Sequence, residues 1–305
     1  MERYGLIGKN IASSLSPVLF EAAYGGTLPY DIIEEEDFVS SYGRFLSSYK
    51  AINVTAPYKE DAFAQAVGLA KDSRGSISGP CYKIGATNLL VKTPSGIEAH
   101  NSDFTGIILT VAQCLFPDLV KICYDRFGER GYIKVHQYLR KYLQEVYPFA
   151  PQALVIGAGG AGRAAAVAAA EMGFSTAIMN RTKERADALA ASLPEYGFLT
   201  VPAEDLHGAL QECDLIIYTA SGALQGMDSL TQEDFRSSAG GPGKIILEAN
   251  YKTPSFDTAL QEKMREVGCR YLDGLGWLRF QALTGYGIMT GRTPDIEALL
   301  SVPLK

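Results

Sequence analysis

One motif restricts the fold of this chain more than any other. Gly157, Gly159 and Gly162 form a G-x-G-x-x-G series that follows an apolar run and opens an alanine-rich segment. This spacing allows a tight turn, a close approach of the backbone to a pyrophosphate, and close packing of a helix on a strand, while the helix N-terminus offers unpaired N–H groups to the phosphates. The series predicts a Rossmann-type unit that binds a dinucleotide. The alternative is a helix that merely packs tightly on a sheet.

The choice of dinucleotide is indicated by the residues after the next predicted strand, 175–179. An NAD-binding protein usually carries Asp or Glu there, which accepts hydrogen bonds from the ribose hydroxyls. Here Arg181 and Arg185 follow the strand instead, and a guanidinium can bind a 2′-phosphate in a bidentate manner. The sequence therefore predicts NADP, against the alternative of a solvated helix start with incidental basic residues.

Apolar strand-like runs alternate with helical patterns, which is typical of parallel α/β architecture, and 305 residues favour two domains. The expected strands are 4–7, 51–54, 86–91, 153–156, 175–179, 214–218 and 244–247. We expect helices after an N-cap at Ser16 with Pro17 at N1, at 57–66 and 104–115, after the glycine turn, and at 183–193 and 277–290, with a turn at 93–96.

The segment 116–150 is rich in charge and tyrosine and differs from its surroundings. Apolar residues recur at helical spacing within it and predict one amphipathic helix: Val135, Tyr138, Leu139, Tyr142, Leu143 and Val146. Pro148 and Pro151 would end this helix. We interpret the segment as a helical insertion for packing or partner contact that leads into the second domain.

Composition disfavours several classes of function. The net charge of −6 is unlike that of a nucleic-acid binder. The five cysteines and three histidines are scattered, which predicts reduced thiols in a cytoplasm and no metal site. The N-terminus lacks a signal-peptide pattern, and Arg163 and Glu171 interrupt the Ala/Gly-rich stretch, so no membrane partner is expected. We expect a monomer or homodimer that acts on a small molecule.

Four polar clusters precede the glycine turn, at 13–17, 53–59, 85–88 and 101–106. Ligands of open α/β sheets bind outside the carboxyl ends of the strands, so these clusters can line one cleft. Their hydroxyls and amides suit a polyhydroxylated substrate, and Lys59 and Asp103 suit proton transfer at a carbonyl or alcohol. Taken singly, Ser16 and Asp103 are explained equally well as helix caps, and Lys59 as a solvated helix residue.

The order of these motifs along the chain resembles the shikimate dehydrogenase family. The resemblance rests on Ser14-x-Ser16-Pro17, Asn53-Val54-Thr55-x-Pro57-x-Lys59, Asn101-x-Asp103 with Gly106, Gly157-Ala158-Gly159-Gly160-Ala161 with Asn180-Arg181-Thr182, and Asp273-Gly274-Leu275-Gly276-x-Leu278-x-x-Gln281. It implies an NADP-dependent, reversible reduction of 3-dehydroshikimate to shikimate, a step toward chorismate and the aromatic amino acids.

The resemblance also implies a division of labour between two α/β domains. A substrate-binding catalytic domain would comprise 1–110 and 277–305, with the C-terminal helix packed back on it, and an NADP-binding Rossmann domain 111–276. Lys59 and Asp103 would be the catalytic pair. The implied substrate contacts are Ser14, Ser16, Thr55, Asn88, Tyr251 and Gln281, and the implied cofactor contacts are Gly157, Ala158, Gly159, Gly160, Ala161, Asn180, Arg181, Thr182, Arg185 and Gly274.

Three residues depart from the family pattern on what we expect to be the cofactor side: Tyr218 replaces a usual Asn, Trp277 a usual Met, and Glu248 opens a segment that usually reads Asp-x-x-Tyr. The connection at 116–151 is also longer than usual. Two alternatives stay open: a quinate/shikimate dehydrogenase or paralogue acting on a related ring acid, and a non-catalytic sensor of NADP and a metabolite. Ser14 and Asn180-Arg181 favour shikimate and NADP, and the Lys59 and Asp103 pair disfavours the sensor.

Overall fold

The structure is a computed structural model that describes residues 2–128, 131–147, 149–237 and 243–304. The chain divides into two compact units. The first comprises 1–106 and 278–305, and the second comprises 107–277. Each has its own six-stranded sheet.

The strands are β1 (Tyr4–Ile7), β2 (Tyr30–Ile33), β3 (Ala51–Val54), β4 (Gly75–Ile77), β5 (Leu89–Thr93), β6 (Gly96–His100), β7 (Gln152–Ile156), β8 (Ser175–Met179), β9 (Leu199–Val201), β10 (Leu215–Tyr218), β11 (Ile245–Glu248) and β12 (Arg270–Leu272). The helices are α1 (Ser16–Tyr24), α2 (Phe38–Ser48), α3 (Lys59–Lys71), α4 (Gly79–Ile84), α5 (Asp103–Leu115), α6 (Leu119–Phe127), α7 (Gly131–Val146), α8 (Gly160–Met172), α9 (Lys183–Ser192), α10 (Leu206–Glu212), α11 (Thr258–Glu266), α12 (Gly274–Thr290) and α13 (Ile296–Ser301).

The sheet of the first unit has the strand order β2-β1-β3-β5-β6-β4. The parallel arrangement that the sequence favoured holds for only part of this sheet: β5 pairs antiparallel with both β3 and β6. The predicted turn explains the pairing of β5 with β6, because Pro94 and Ser95 join these strands in a hairpin, and a two-residue loop can connect only antiparallel strands. Alternation along β3 places Ile52 and Val54 in an apolar core with Phe45, and Asn53 on the opposite face.

The sheet of the second unit is parallel throughout, in the order β12-β11-β10-β7-β8-β9. This is the doubly wound Rossmann order, in which β7 lies at the centre and the chain reverses direction across the sheet between β9 and β10. The predicted α/β class with a Rossmann-type unit is confirmed. The carboxyl ends of β7 and β10 form the switch point where such sheets bind ligands.

Several predicted boundaries differ from the observed ones. The strand predicted at 86–91 begins only at Leu89. The two residues before it make other hydrogen bonds: Thr87 Oγ1 donates to the Leu89 carbonyl oxygen at 3.0 Å, and Asn88 Nδ2 donates to Ser102 Oγ. The helix predicted at 57–66 begins at Lys59. Ser16 was wrongly predicted as an N-cap: it is the first helical residue, and Leu15 occupies the cap position.

The segment 116–150 contains the predicted amphipathic helix, α7, whose Val135, Leu139 and Leu143 are buried. A second helix, α6, was not predicted, because nine residues carry too short a periodic pattern. Gly131 permits the close approach of the two helices, since a Cβ there would lie 2.8 Å from the Cys123 carbonyl oxygen. Pro148 lies outside the described residues.

All five cysteines are free thiols. Across the described ranges, no cluster of His, Cys, Asp and Glu is arranged to hold a metal ion. Within the same ranges, no helix has the length and apolar character needed to span a bilayer.

Candidate active site

The glycine turn after β7 has the local geometry that a dinucleotide requires. Gly157 adopts φ +115°, and a Cβ there would lie 2.4 Å from Thr219 Oγ1. A Cβ on Gly162 would lie 1.9 Å from the Gly157 carbonyl oxygen, so the third glycine is needed for helix α8 to pack on the turn. Around Gly159, no non-neighbouring heavy atom of the described chain lies within 4 Å of a Cβ position. The turn therefore has open space at the point where a pyrophosphate would approach.

Asn180 connects this turn to the start of α9. Its Oδ1 accepts a hydrogen bond from Ala158 N at 3.2 Å, and its Nδ2 donates to the Thr182 carbonyl oxygen at 2.9 Å. A short amide is suited to this position because it offers an acceptor and a donor at once. Asn180 thus fixes the glycine turn relative to α9.

The two predicted phosphate-binding arginines both have exposed side chains. Arg181 donates to the carbonyl oxygens of Ser221 at 3.4 Å and Ala223 at 3.3 Å, in the loop after β10. Arg185 lies in the first turn of α9. Both guanidinium groups are therefore accessible to an anionic group of a ligand.

Tyr218, the first departure from the family pattern, ends β10 and has its side chain in the interior of the second unit. It is fully buried, its hydroxyl donates to the Gly222 carbonyl oxygen at 2.7 Å, and its ring meets Phe256 edge-on at 5.4 Å. Burial raises the pKa of its hydroxyl. The next residue, Thr219, lies against the glycine turn and donates to the Ile156 carbonyl oxygen at 3.1 Å. Sequence reasoning missed Thr219, although side-chain alternation at the end of β10 could have indicated it.

Glu248, a second departure, is also part of the interior. Its fully buried carboxylate accepts hydrogen bonds from Tyr271 Oη at 2.8 Å and Phe256 N at 3.3 Å. Burial, and then the hydrogen bond to Glu248, raise the pKa of Tyr271. This carboxylate fixes the loop after β11.

Tyr251, predicted to contact substrate, lies in that loop within the second unit, half-buried, with Lys252 Nζ 5.8 Å from its ring centroid. Gly274 starts α12, and a Cβ on it would lie 2.2 Å from the Ala249 carbonyl oxygen. Only glycine therefore allows α12 to begin so close to the loop. Trp277, the third departure, is buried.

In the first unit, the structure brings Lys59 and Asp103 together. Lys59 Nζ donates a hydrogen bond to Asp103 Oδ2, and the two side chains are only 12% and 3% exposed. Each is the first residue of its helix, α3 and α5, and the positive N-terminal end of α5 favours the carboxylate. Burying an ion pair costs desolvation energy and seldom adds net stability, so its presence indicates a functional requirement more than a structural one.

Asn88 organises the residues beside this pair. Its Oδ1 accepts from Ser102 N at 2.8 Å, and its Nδ2 donates to Ser102 Oγ at 3.1 Å and Gln281 Oε1 at 3.4 Å. Ser102 immediately precedes Asp103. A Cβ on Gly285 of α12 would lie 3.0 Å from Ser102 Oγ, so the C-terminal helix packs closely here. Asn88 thus links Gln281 to the segment that carries Asp103.

Ser14 and Ser16 form another adjacent pair, with their Oγ atoms 3.2 Å apart. Tyr286 of α12 donates to the Ser16 carbonyl oxygen at 2.9 Å. The loop before Ser14 is held by Glu34, whose Oε2 accepts from Ile11 N at 3.4 Å. Sequence reasoning missed Glu34, because no local pattern pairs it with this loop.

Thr55 is half-buried and anchored by its backbone, which donates to the Ile7 carbonyl oxygen at 2.9 Å. The following Ala56–Pro57 peptide bond is cis. A Cβ on Gly8 would lie 2.5 Å from Thr55 Cγ2. Gly8, which the motifs did not single out, therefore makes room for the Thr55 side chain.

The sequence of this chain is similar to those of known shikimate dehydrogenases. The family model for shikimate/quinate 5-dehydrogenases matches residues 144–235. The shikimate dehydrogenase (NADP(+)) of Acidiphilium cryptum is 30% identical over 303 residues, covering 97% of this chain and 93% of the relative. The chain belongs to the shikimate dehydrogenase family. The resemblance predicted from the motifs is confirmed.

Two solved structures extend this family assignment to the fold. The shikimate 5-dehydrogenase of Thermus thermophilus, in complex with NADP(H) and shikimate, is 25% identical with a TM-score of 0.68, covering 98% of this chain and 97% of that one. An Ael1 enzyme from Pseudomonas putida is 27% identical with a TM-score of 0.66 and full coverage of both chains. Shikimate dehydrogenases thus share this architecture along essentially the whole length of the chain.

Proposed function

We propose that this chain is an enzyme that catalyses the reversible, NADP-dependent reduction of 3-dehydroshikimate to shikimate. The observation that carries the proposal is the contact between Lys59 Nζ and the buried Asp103 carboxylate. The relative from Acidiphilium cryptum is named for this substrate and cofactor, and the Thermus structure contains both NADP(H) and shikimate. A family member that retains an acid–base pair is expected to turn over substrate as well as bind it.

The second unit would be the NADP-binding domain. The turn around Gly157, with open space at Gly159 and exposed guanidinium groups at Arg181 and Arg185, fits a dinucleotide with a 2′-phosphate. The residues that would hold it are Gly157, Ala158, Gly159, Gly160, Ala161, Asn180, Arg181, Thr182 and Arg185, with Gly274 at the nicotinamide. When bound, NADPH supplies the hydride.

The first unit would be the substrate-binding catalytic domain. As an ammonium, Lys59 would donate a proton to the carbonyl oxygen while the carbonyl carbon gains the hydride, and in the oxidation direction the proton would return to Nζ. Asp103 would hold the ammonium and the neighbouring substrate hydroxyl. The residues of this unit that would bind the carboxylate and the hydroxyls are Ser14, Ser16, Thr55, Asn88 and Gln281. Tyr251, a further proposed substrate contact, belongs to the second unit.

The test is a spectrophotometric assay of NADPH oxidation on addition of 3-dehydroshikimate. We expect turnover, with a higher kcat/KM for NADPH than for NADH. Faster oxidation of quinate than of shikimate would instead favour the quinate/shikimate alternative. A protein that is stabilised thermally by both ligands but oxidises no NADPH would be a sensor, and the proposal would be wrong.

We further propose that the enzyme acts in the cytoplasm as a monomer or homodimer. The five free thiols support a reducing compartment, since disulfides are rare there. Sedimentation equilibrium of the purified protein would determine the oligomeric state.

A further inference from the structure

Tyr30 makes polar contacts that its position in the sequence does not explain. It begins β2, two strands away from β3 in the sheet order. Its hydroxyl nevertheless reaches across β1 and donates a hydrogen bond to Asn53 Oδ1 at 2.8 Å. The Ser16 side chain lies close to the same hydroxyl. Burial raises the pKa of Tyr30 well above its usual value, so the hydroxyl keeps its proton and stays a donor.

These groups form a series of neighbouring polar side chains, the polar series, within the first unit. Ser14 Oγ donates to Ser16 Oγ at 3.2 Å, Ser16 lies close to Tyr30, and Tyr30 donates to Asn53. Asn53 Nδ2 then donates to the Asn88 carbonyl oxygen at 3.4 Å. The two ends of the polar series, Ser14 and Asn88, are both proposed substrate contacts. Tyr30 stands between the Ser14–Ser16 pair and the Asn53–Asn88 pair, close to Ser16 and hydrogen-bonded to Asn53.

We propose that Tyr30 is a positioning residue of the substrate site, which fixes the Asn53 carboxamide against the Asn88 backbone beside the Ser16 hydroxyl, and so sets the spacing of Ser14 and Asn88. This inference rests on the proposed function, because it concerns the same site. By holding Asn53 Oδ1, Tyr30 fixes which end of the carboxamide faces Asn88. Lys59 and Asp103 are not part of the polar series. Tyr30 therefore acts on substrate affinity rather than on proton transfer.

A purely structural role makes a different prediction. The Tyr30 ring packs 4.7 Å from the Phe20 ring and 6.1 Å from that of Tyr286, and phenylalanine at position 30 would retain these contacts. Tyr4 supplies a matched control: it pairs in register with Tyr30, lies 5.3 Å from Phe20, and donates its hydroxyl to Glu2 at 3.0 Å. Tyr4→Phe removes a hydroxyl from the same aromatic cluster but leaves the contacts of the polar series unchanged.

The kinetic test compares Tyr30→Phe, Asn53→Ala, the double variant and Tyr4→Phe. For Tyr30→Phe we expect the KM for shikimate to rise about tenfold, the effect of one hydrogen bond, while kcat and the KM for NADP change less than about twofold. The double variant should be no worse than Asn53→Ala by more than about twofold, because the two residues act through one contact. Unchanged KM in Tyr30→Phe, or equal losses in Tyr4→Phe, would overturn the proposal.

A second measurement keeps this inference separate from the proposed function. Nuclear magnetic resonance of the ligand-free, nitrogen-labelled protein reports the two side-chain amide protons of Asn53. We expect two well-separated signals in wild type and Tyr4→Phe, and a collapse toward free-amide shifts in Tyr30→Phe. Unaltered signals in Tyr30→Phe would refute the positioning role even in an active enzyme. If wild type lacks dehydrogenase activity but the signals collapse, the proposed function fails while the fixing of Asn53 by Tyr30 stands.

Discussion

At the scale of single residues, the site depends on side chains whose burial and pairing differ sharply. Lys59 and Asp103 are almost withdrawn from water, whereas Arg181 and Arg185 are exposed. A buried ion pair interacts strongly and keeps a fixed geometry, which suits proton transfer. Exposed guanidinium groups bind a phosphate with little desolvation cost. The proposed substrate and cofactor sites thus place charge where the chemistry of each ligand would require it.

Arg185 provides a test of the cofactor assignment. Arg185→Gln removes a charge-assisted contact to the 2′-phosphate, so we expect the KM for NADPH to rise about tenfold while that for NADH stays within about twofold. Steady-state kinetics with both cofactors measure this. Arg265→Gln, at another exposed arginine, on α11, should change neither value. An equal effect on NADPH and NADH would show that Arg185 does not meet the 2′-phosphate.

Sequence predicted the residues that lie in contiguous motifs, and missed those defined by long-range contacts. The glycine turn was predictable because each glycine serves backbone geometry within six residues. Gly8 and Tyr30 were not, since the roles assigned to them come from contacts with Thr55 and Asn53. Pairing between distant loops is set by the sheet order, which spacing along the chain does not contain.

At the scale of elements, the strand–turn–helix unit from β7 to α8 gives its glycines different expected roles, packing for Gly162 and ligand approach for Gly159. Gly162→Ala would drive its Cβ into the Gly157 carbonyl oxygen, which lies 1.9 Å away. We expect a loss of about 1–3 kcal/mol in unfolding free energy, together with loss of NADPH binding. Gly159→Ala meets open space and should leave the unfolding temperature unchanged while weakening NADPH binding.

Thermal unfolding without ligand, and calorimetric titration with NADPH, separate these two effects. If Gly159→Ala destabilised the ligand-free protein as much as Gly162→Ala, the assignment of backbone approach to Gly159 and of packing to Gly162 would be incorrect. If both variants bound NADPH normally, the glycine turn would not be the pyrophosphate site.

Elements with strong apolar patterns were predicted best. Strands β1, β3 and β8 have the predicted bounds, and α7 was found from its buried stripe. Strands β4, β9 and β12, at three residues each, and the helices α4 and α10 were missed. Their formation depends on neighbours in the sheet or core, because so few residues show no period of their own.

At the scale of the whole molecule, two units with separate sheets are expected to divide the binding work. We expect shikimate alone to slow amide hydrogen exchange in the first unit, around β3, β5 and the start of α5. NADP+ alone should slow exchange in the second unit, around the glycine turn and α9. Hydrogen exchange read by mass spectrometry measures both. Protection of the first unit by NADP+ alone would contradict the proposed division.

The most direct test of the account is the turnover of a protein that lacks the ammonium at position 59. We expect Lys59→Ala to lower kcat by about 10²–10⁴-fold, the usual contribution of a positioned acid or base, while the Kd for shikimate changes less than about tenfold. Lys59→Gln keeps a hydrogen-bond donor for Asp103, so it controls for loss of the fold, and it should be equally slow. Lys71→Ala, at the exposed end of α3, should match wild type. A folded Lys59→Gln enzyme with near-normal kcat would contradict the account.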